Sequence, residues 1–336
     1  MTRPAALLLG RIDHARPEWE ALSDIAELQE FSSGTLTTFH AALLAGAYSN
    51  VVAIYRTFDS GVSLTGPFSR ELISVLPPSV KFICHNGAGY DQIDVAACSA
   101  RGIAVSHTPA AVDAATANVA MMLLLGALRR SWIPESALRM GRWKGEMQLG
   151  RDPEGKTLGI LGMGGIGSAV ARRAKGFEMR VVYHNRRPAR EDNGAEYIAS
   201  LDEFWGLCDI ISIHLPLSTT TKHFITHAQF SLMKRGVVIV NTARGAIIDE
   251  EALVQALESG QVGSAGLDVF ENEPEIHPAL IGNANVVLLP HIGTATVETQ
   301  RKMECLVVSN VRSALEKGTL VTQVPEQREG GQFPVL

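Results

Sequence analysis

Three apolar runs in the second half of the chain end abruptly in polar residues. Val237–Val240 opens into Asn241-Thr242-Ala243-Arg244-Gly245. Gly266-Leu267-Asp268-Val269-Phe270 opens into Glu271-Asn272-Glu273-Pro274, and Val286–Leu289 into Pro290-His291-Ile292-Gly293. If these runs are parallel strands of one open sheet, ligands lie beyond their carboxyl ends, and an arginine, carboxylates and a histidine reach one edge together. Arg244 offers a planar guanidinium that forks onto a carboxylate and polarises a carbonyl. His291 exchanges a proton near neutrality, its unperturbed pKa being about 6.5. Glu273 can orient that imidazole and favour its charged form. Singly, a histidine after a strand is ordinarily structural, and an arginine before glycine is ordinarily a surface ion pair. Together they are what reduction of a 2-oxo acid requires: a cation for the carboxylate and a proton for the ketone oxygen, with the hydride left to a nicotinamide.

A hydride donor needs a cradle, and residues 158–167 read L-G-I-L-G-M-G-G-I-G. Gly162, Gly164 and Gly167 match G-x-G-x-x-G between an apolar strand and an apolar helix expected from Ser168. The first glycine permits the turn, the second lets backbone approach a pyrophosphate, and the third lets helix and strand pack closely. The helix N-terminus adds free N–H groups and partial positive charge. A glycine-rich turn alone is weak evidence; its strand–turn–helix setting makes it a dinucleotide loop.

Such units usually place an acid at the end of the second strand, where it binds the adenosine ribose. Here that strand, Arg180 to Tyr183, runs into His184-Asn185-Arg186-Arg187, and no carboxylate follows until Glu191. A missing acid removes repulsion against a 2′-phosphate, and guanidinium forks bind one. The alternative is a solvated basic turn. The expected cofactor is NADP in preference to NAD.

The elements that position these residues alternate along the chain. Further strand-like runs occur at Ala5–Leu9, Val51–Ile54, Phe82–His85, Ala104–Ser106, Leu158–Leu161, Ile210–Ile213 and Ser264–Val269, with helical patterns between them. Nearly continuous apolar strands suit parallel sheets covered on both faces, and the alternation indicates doubly wound α/β architecture. The fold expected is two such domains, one a Rossmann dinucleotide-binding domain over 108–299, the other a smaller, flavodoxin-like substrate domain. The second is discontinuous, made of 1–107 plus 300–336, because helices at Ala114–Arg130 and from about Val297 to Lys317 carry the chain across and back. The tail from Pro325 reads as loosely held. The substrate pocket falls to the first domain, with Tyr55, Arg56, Thr57, Phe58 and Tyr90 as candidates.

Composition excludes several classes. With 46% hydrophobic and 19% charged residues, the chain can bury a large core and is not a disordered one. The net charge of −5, without a long basic run, gives no nucleic-acid surface. Cys84, Cys98, Cys208 and Cys305 lie at no metal or redox spacing, so no metal is expected. The longest apolar run, Val119 to Leu128, is far short of the about 20 residues that span a bilayer. A cytoplasmic location is the expectation.

At this point the sequence resembles the D-isomer-specific 2-hydroxyacid dehydrogenases from about residue 80 to 315. The residues that carry the resemblance are G-A-G-Y-D-Q-I-D (87–94), H-T-P-A-A-V-D-A-A-T-A-N (107–118), the glycine loop, H-L-P-L (214–217), V-N-T-A-R-G-A-I-I-D (240–249), A-G-L-D-V-F-E-N-E-P (265–274) and L-P-H-I-G (289–293). Residues 1–75 match only in pattern. The resemblance implies Arg244, Glu273 and His291 as the catalytic set. It implies that backbone N–H groups of Ala88 and Gly89 bind the substrate carboxylate with Arg244 and His291, and that Asp268 faces the nicotinamide amide. Cofactor contacts are implied at Met163, Gly165, Ile166, Leu215, Pro216, Thr221, Thr242, Ala243, Gly293 and Thr116, beside the glycines and Asn185-Arg186-Arg187. A homodimer built around the nucleotide domain is implied as well. The basic turn resembles the NADP-preferring branch with glyoxylate and hydroxypyruvate reductases. Related formate dehydrogenases carry Gln where this chain has Glu273. A corepressor-like protein of the same fold is the alternative function; the chain shows no partner-binding extension.

Overall fold

The computed structural model describes residues 3–328. They divide into two compact α/β units, one taking the chain up to Val112 and again from Thr296, the other running from Asp113 to Ala295. In the first, β1 (Ala5–Leu9), β2 (Glu27–Phe31), β3 (Val51–Arg56), β4 (Phe82–His85) and β5 (Ala104–Ser106) form a sheet in the order β2-β1-β3-β4-β5. In the second, the strands are β6 (Thr157–Leu161), β7 (Arg180–His184), β8 (Glu196–Tyr197), β9 (Ile210–Ile213), β10 (Val237–Asn241), β11 (Val262–Leu267) and β12 (Val286–Leu288). Their order is β12-β11-β10-β9-β6-β7-β8. The paired strands are all parallel. The strand order of the second sheet reverses between β6 and β9, and a ligand crevice lies at such a switch point.

The central strands are buried throughout because helices cover both faces. Two strands were not anticipated, β2 and β8. Both are edge strands, and β2 reads Glu-Leu-Gln-Glu-Phe with no buried residue. An edge strand needs no continuous apolar run, so its sequence carries no such signal. β11 was expected at Ser264–Val269 but runs Val262–Leu267; beyond Leu267, the Asp268 side chain bonds to the loop after β12 instead of continuing the ladder. The helix expected from Ser168 begins at Gly165, so three residues of the glycine loop already lie in its first turn.

The Asp113–Arg129 helix packs on β10 and β11 through Ala120, Leu123, Leu124 and Ala127. In the other unit the Val297–Lys317 helix lies against β3 and β4 with Val307, Val311 and Ala314 inward. The described part of the tail is not loose. Val324 N–H donates to Val105 O at 2.9 Å, and Gln327 Oε1 accepts the Val105 N–H at 2.7 Å. The remaining tail residues lie outside the described residues. Among the described residues no helix is long and apolar enough to cross a membrane, and no cluster of His, Cys, Asp or Glu could hold a metal ion.

One charge holds the first unit's entry loop. Glu304, 4% exposed, accepts N–H groups from Asp13 at 3.1 Å, His14 at 2.7 Å and Ala15 at 2.6 Å. A carboxylate has enough lone pairs for all three donors; an amide turns one oxygen into another donor. Glu304→Gln is therefore expected to cost about 1–3 kcal/mol of stability. Urea unfolding measures it, and a change below about 0.5 kcal/mol would remove the carboxylate from this role.

Candidate active site

The glycine loop sits at the end of β6, beside the switch point. Gly162 has φ 101°, and a Cβ there would lie 2.9 Å from the His214 backbone and 3.2 Å from Leu215 Cδ2. A Cβ on Gly167 would meet Gly162 O at 2.2 Å, so only hydrogen lets helix and strand come this close. Gly164 is different: a Cβ there would meet nothing within 4 Å. The helix begins with Gly164 at its N-cap and no side-chain cap, leaving the first-turn N–H groups of Gly165, Ile166 and Gly167 to an outside acceptor. The Thr242 hydroxyl oxygen and His214 Nδ1 are buried without a hydrogen-bond partner among the described residues. Burial holds the His214 imidazole neutral, its pKa brought down to about 3. An uncapped helix start, an open glycine and unpartnered polar atoms at one sheet edge fit a dinucleotide.

The structure gives several of the expected cofactor residues a positioning task. Asn185 Oδ1 accepts the Met163 N–H at 2.8 Å, so the residue in the acid's place braces the glycine loop itself. Its carbonyl accepts from the Tyr197 hydroxyl at 3.0 Å. Arg186 and Arg187 are exposed. The Thr221 hydroxyl donates to Pro216 O at 2.6 Å and accepts from Ser218 N–H at 2.8 Å; it closes the turn after β9. Pro216 is exposed and Leu215 half-buried.

The catalytic candidates of this unit gather at the ends of β10, β11 and β12. Asn241, to which the sequence reading gives no role, fixes the arginine loop. Its Nδ2 donates to Arg244 O at 2.9 Å and its Oδ1 accepts from Ala243 N–H at 3.0 Å. Asparagine directly after an apolar run is the signal that could have found it, since Asn bonds its own backbone two residues on. Arg244 Nη1 donates to Ala243 O at 2.7 Å. Gly245 must be glycine because a Cβ would overlap the Phe270 carbonyl carbon at 1.9 Å. That packing brings the arginine loop against the segment carrying Glu273.

Asp268 is 1% exposed, and its two oxygens accept the N–H groups of Ile292 and Gly293 at 2.8 Å each. Its carbonyl accepts the His291 N–H at 2.8 Å. Burial raises its carboxyl above the usual range, against the two N–H donors and the His291 charge. A Cβ on Gly293 would lie 3.1 Å from Asp268 Oδ2 and 3.3 Å from Thr116 Cγ2, so these three residues meet. His291 adopts φ 55°, a left-handed conformation held by those bonds.

His291 Nδ1 lies 2.7 Å from Glu273 Oε2, and Glu273 Oε1 accepts the Phe270 N–H at 2.9 Å. Burial pushes the Glu273 carboxyl up. The hydrogen bond and charge of His291, the Phe270 N–H and the Arg244 charge outweigh it and bring the group below its ordinary value. A carboxylate only accepts, so Nδ1 carries the hydrogen and Nε2 is the nitrogen that exchanges a proton.

In the other unit, Ala88 and Gly89 lie in the loop after β4, and no described group accepts a hydrogen bond from either N–H. The pocket candidates there need correction. Tyr55 is fully buried edge-on against Trp19 with ring centroids 5.8 Å apart, and Arg56 is likewise 0% exposed. The Thr57 hydroxyl donates to Leu9 O at 3.0 Å. β3 is a central strand covered on both faces, so successive side chains at its end are buried, and only Phe58 and Tyr90 are half-buried.

The family model described as D-isomer specific 2-hydroxyacid dehydrogenase, NAD binding domain, matches residues 121–293. The chain is 56% identical to 4-methyl-2-oxopentanoate reductase A of Aspergillus oryzae, over 97% of this chain and 99% of that one. It is also 56% identical to the solved glyoxylate reductase from Paecilomyes thermophila, covering 98% of this chain and 100% of that one with a TM-score of 0.95. An NADPH-dependent glyoxylate/hydroxypyruvate reductase from Sinorhizobium meliloti, solved with NADP and malonate, is 34% identical. It covers 96% of this chain and 97% of that one, with a TM-score of 0.84. With a glycine cradle, a histidine–carboxylate pair and an arginine loop at one sheet edge, the chain belongs to the D-isomer-specific 2-hydroxyacid dehydrogenases, oxidoreductases that act on small 2-oxo and D-2-hydroxy acids with NAD(P)H.

Proposed function

We propose that the protein reduces a small 2-oxo acid of the glyoxylate or hydroxypyruvate kind with NADPH in preference to NADH, as a cytoplasmic homodimer. The observation that supports the chemistry most directly is the 2.7 Å contact of His291 Nδ1 with Glu273 Oε2, on a loop braced by Asp268. The nicotinamide, when bound, supplies the hydride. Gly162 to Gly167 receive the pyrophosphate at the helix start, and the Thr242 hydroxyl, His214 and Thr116 line the same sheet edge. Arg244 takes the substrate carboxylate and polarises the ketone, with the N–H groups of Ala88 and Gly89 as further donors to the carboxylate. His291 gives its Nε2 proton to the ketone oxygen in reduction and takes it back in oxidation, while Glu273 holds the imidazolium. Asn185, Arg186 and Arg187 accept the 2′-phosphate without a repelling carboxylate.

Cofactor choice follows from the basic turn. An aspartate in place of Asn185 still accepts the Met163 N–H, so the loop keeps its shape while gaining a charge that repels phosphate. Asn185→Asp with Arg186→Ser should lower the NADPH-over-NADH ratio of kcat/KM by about 10–100-fold. A wild type that prefers NADH sinks this assignment.

Substrate grip is tested at Arg244. An ammonium cannot fork onto two oxygens, so Arg244→Lys should lose about 10–100-fold in kcat/KM with an unchanged NADPH Kd. Near-normal turnover would take Arg244 out of the site.

The acid–base pair has a pH signature. Glu273 is held below its ordinary value, so it is charged at neutral pH. Its contribution to the fold is full there and is lost as pH falls through that lowered value. Reduction needs a protonated His291 and declines as pH rises; oxidation needs it neutral and declines as pH falls. Glu273→Gln keeps an acceptor for Nδ1 but removes the charge favouring imidazolium. Both limbs should move to lower pH, read from pH–rate profiles in each direction. Unmoved profiles mean that Glu273 does not tune His291.

A further inference from the structure

Three successive carbonyls in the loop after β4 are tied down. Gly87 O accepts the Thr108 N–H at 2.9 Å, Ala88 O lies 2.9 Å from His107 Nδ1, and Gly89 O lies 3.1 Å from His85 Nε2. In a trans peptide the next residue's N–H points opposite to the carbonyl. Each anchor therefore turns one N–H away from itself: Ala88, Gly89 and Tyr90 in succession. None of the three is bonded to an acceptor among the described residues.

The third anchor depends on a buried charge. Arg56, at the end of β3, is 0% exposed, and its Nη1 lies 3.1 Å from His85 Nδ1. Its Nη2 donates to Gln92 Oε1 at 3.3 Å and Gly66 O at 3.4 Å, its Cζ lies 5.2 Å over the Phe68 ring, and its Nε is unpartnered. Burial brings its pKa down to about 10, opposed by the Asp91 charge, so it is still a cation at neutral pH. A guanidinium can only donate. His85 Nδ1 must then accept, its hydrogen is on Nε2, and Nε2 donates to Gly89 O. Gly87 is shaped to this bridge: a Cβ there would lie 2.5 Å from His85 Nε2 and 3.2 Å from Gly89 O.

We infer that Arg56 and His85 are positioning residues for the substrate carboxylate: Arg56 sets the His85 tautomer, and His85 pins the Gly89 carbonyl so that the Tyr90 N–H joins those of Ala88 and Gly89 in a preset anion cradle. This rests on the reading that the loop binds the carboxylate. A buried guanidinium is a poor source of stability, since a well-packed apolar residue in its place is often neutral or stabilising. Its retention beneath this loop is explained by what it does to the peptide above.

The test is glyoxylate reduction with NADPH by wild type, Arg56→Met, His85→Leu and His85→Gln, with thermal melting of each and methyl glyoxylate as a neutral comparison substrate. Carboxylate grip is felt in ground and transition states alike, so its loss appears in KM. Arg56→Met and His85→Leu should raise the glyoxylate KM about 10-fold, with kcat within about threefold and the NADPH Kd unchanged. Arg56→Met should melt no lower than wild type. His85→Gln presents an oxygen to Arg56 and an N–H to Gly89 O, and should return KM to within about threefold. The relay is overturned if His85→Leu keeps the wild-type preference for glyoxylate over its ester, or if His85→Gln behaves no better than His85→Leu. If wild type itself shows no preference for the acid, the carboxylate reading of the loop fails instead.

Discussion

Asp268 stands one residue beyond β11, buried to 1% exposure, with Ile292 and Gly293 donating to its carboxylate and His291 to its carbonyl. These three bonds fasten the loop after β12 to the end of β11. They hold His291 in a left-handed conformation that a histidine does not readily adopt. A buried carboxylate is expensive unless its oxygens meet donors, and here the donors are the backbone of the very loop that must be held. The 2.7 Å Glu273–His291 contact draws on this bracing, which fixes the loop that carries His291.

The same logic of rigid backbone recurs at three further strand ends. Asn241 closes the arginine loop, Thr221 closes the turn after β9, and Asn185 holds Met163 N–H. Their side chains turn toward neighbouring peptides. Arg244, Glu273, His291 and the uncapped helix start are the groups proposed for the chemistry. Site geometry held by short polar side chains on sheet ends varies little, which suits a reaction in which a proton and a hydride must meet one carbonyl.

Relatives with the same 56% identity bear names that refer to a branched 2-oxo acid and to glyoxylate. A carboxylate beside a carbonyl is common to both acids, so groups that bind those two features do not tell the acids apart. Of the five side chains considered for the pocket, only Phe58 and Tyr90 are half-buried rather than buried. The Tyr90 hydroxyl is itself engaged, donating to the Glu326 carboxylate at 2.8 and 2.9 Å.

What was legible in the residues alone was whatever depends on chemistry at short range. The glycine loop announces itself because turn, approach and packing each demand glycine at a set spacing. Central strands are legible because burial on both faces leaves only apolar residues. Arg244, Glu273 and His291 stand out as candidates because polar residues follow apolar runs. Edge strands β2 and β8 were hidden because an edge strand can remain polar. Tertiary structure alone decided the rest. Asn185 occupies the acid's place in sequence, yet it grips a peptide 22 residues away. Arg56 looked like a pocket residue and lies wholly inside, against His85 from the next strand. Asp268 looked like a ligand contact and also holds a loop 24 residues on. A side chain's partner is set by which strands lie side by side and which way each end faces, and a linear sequence carries neither until the sheet has formed.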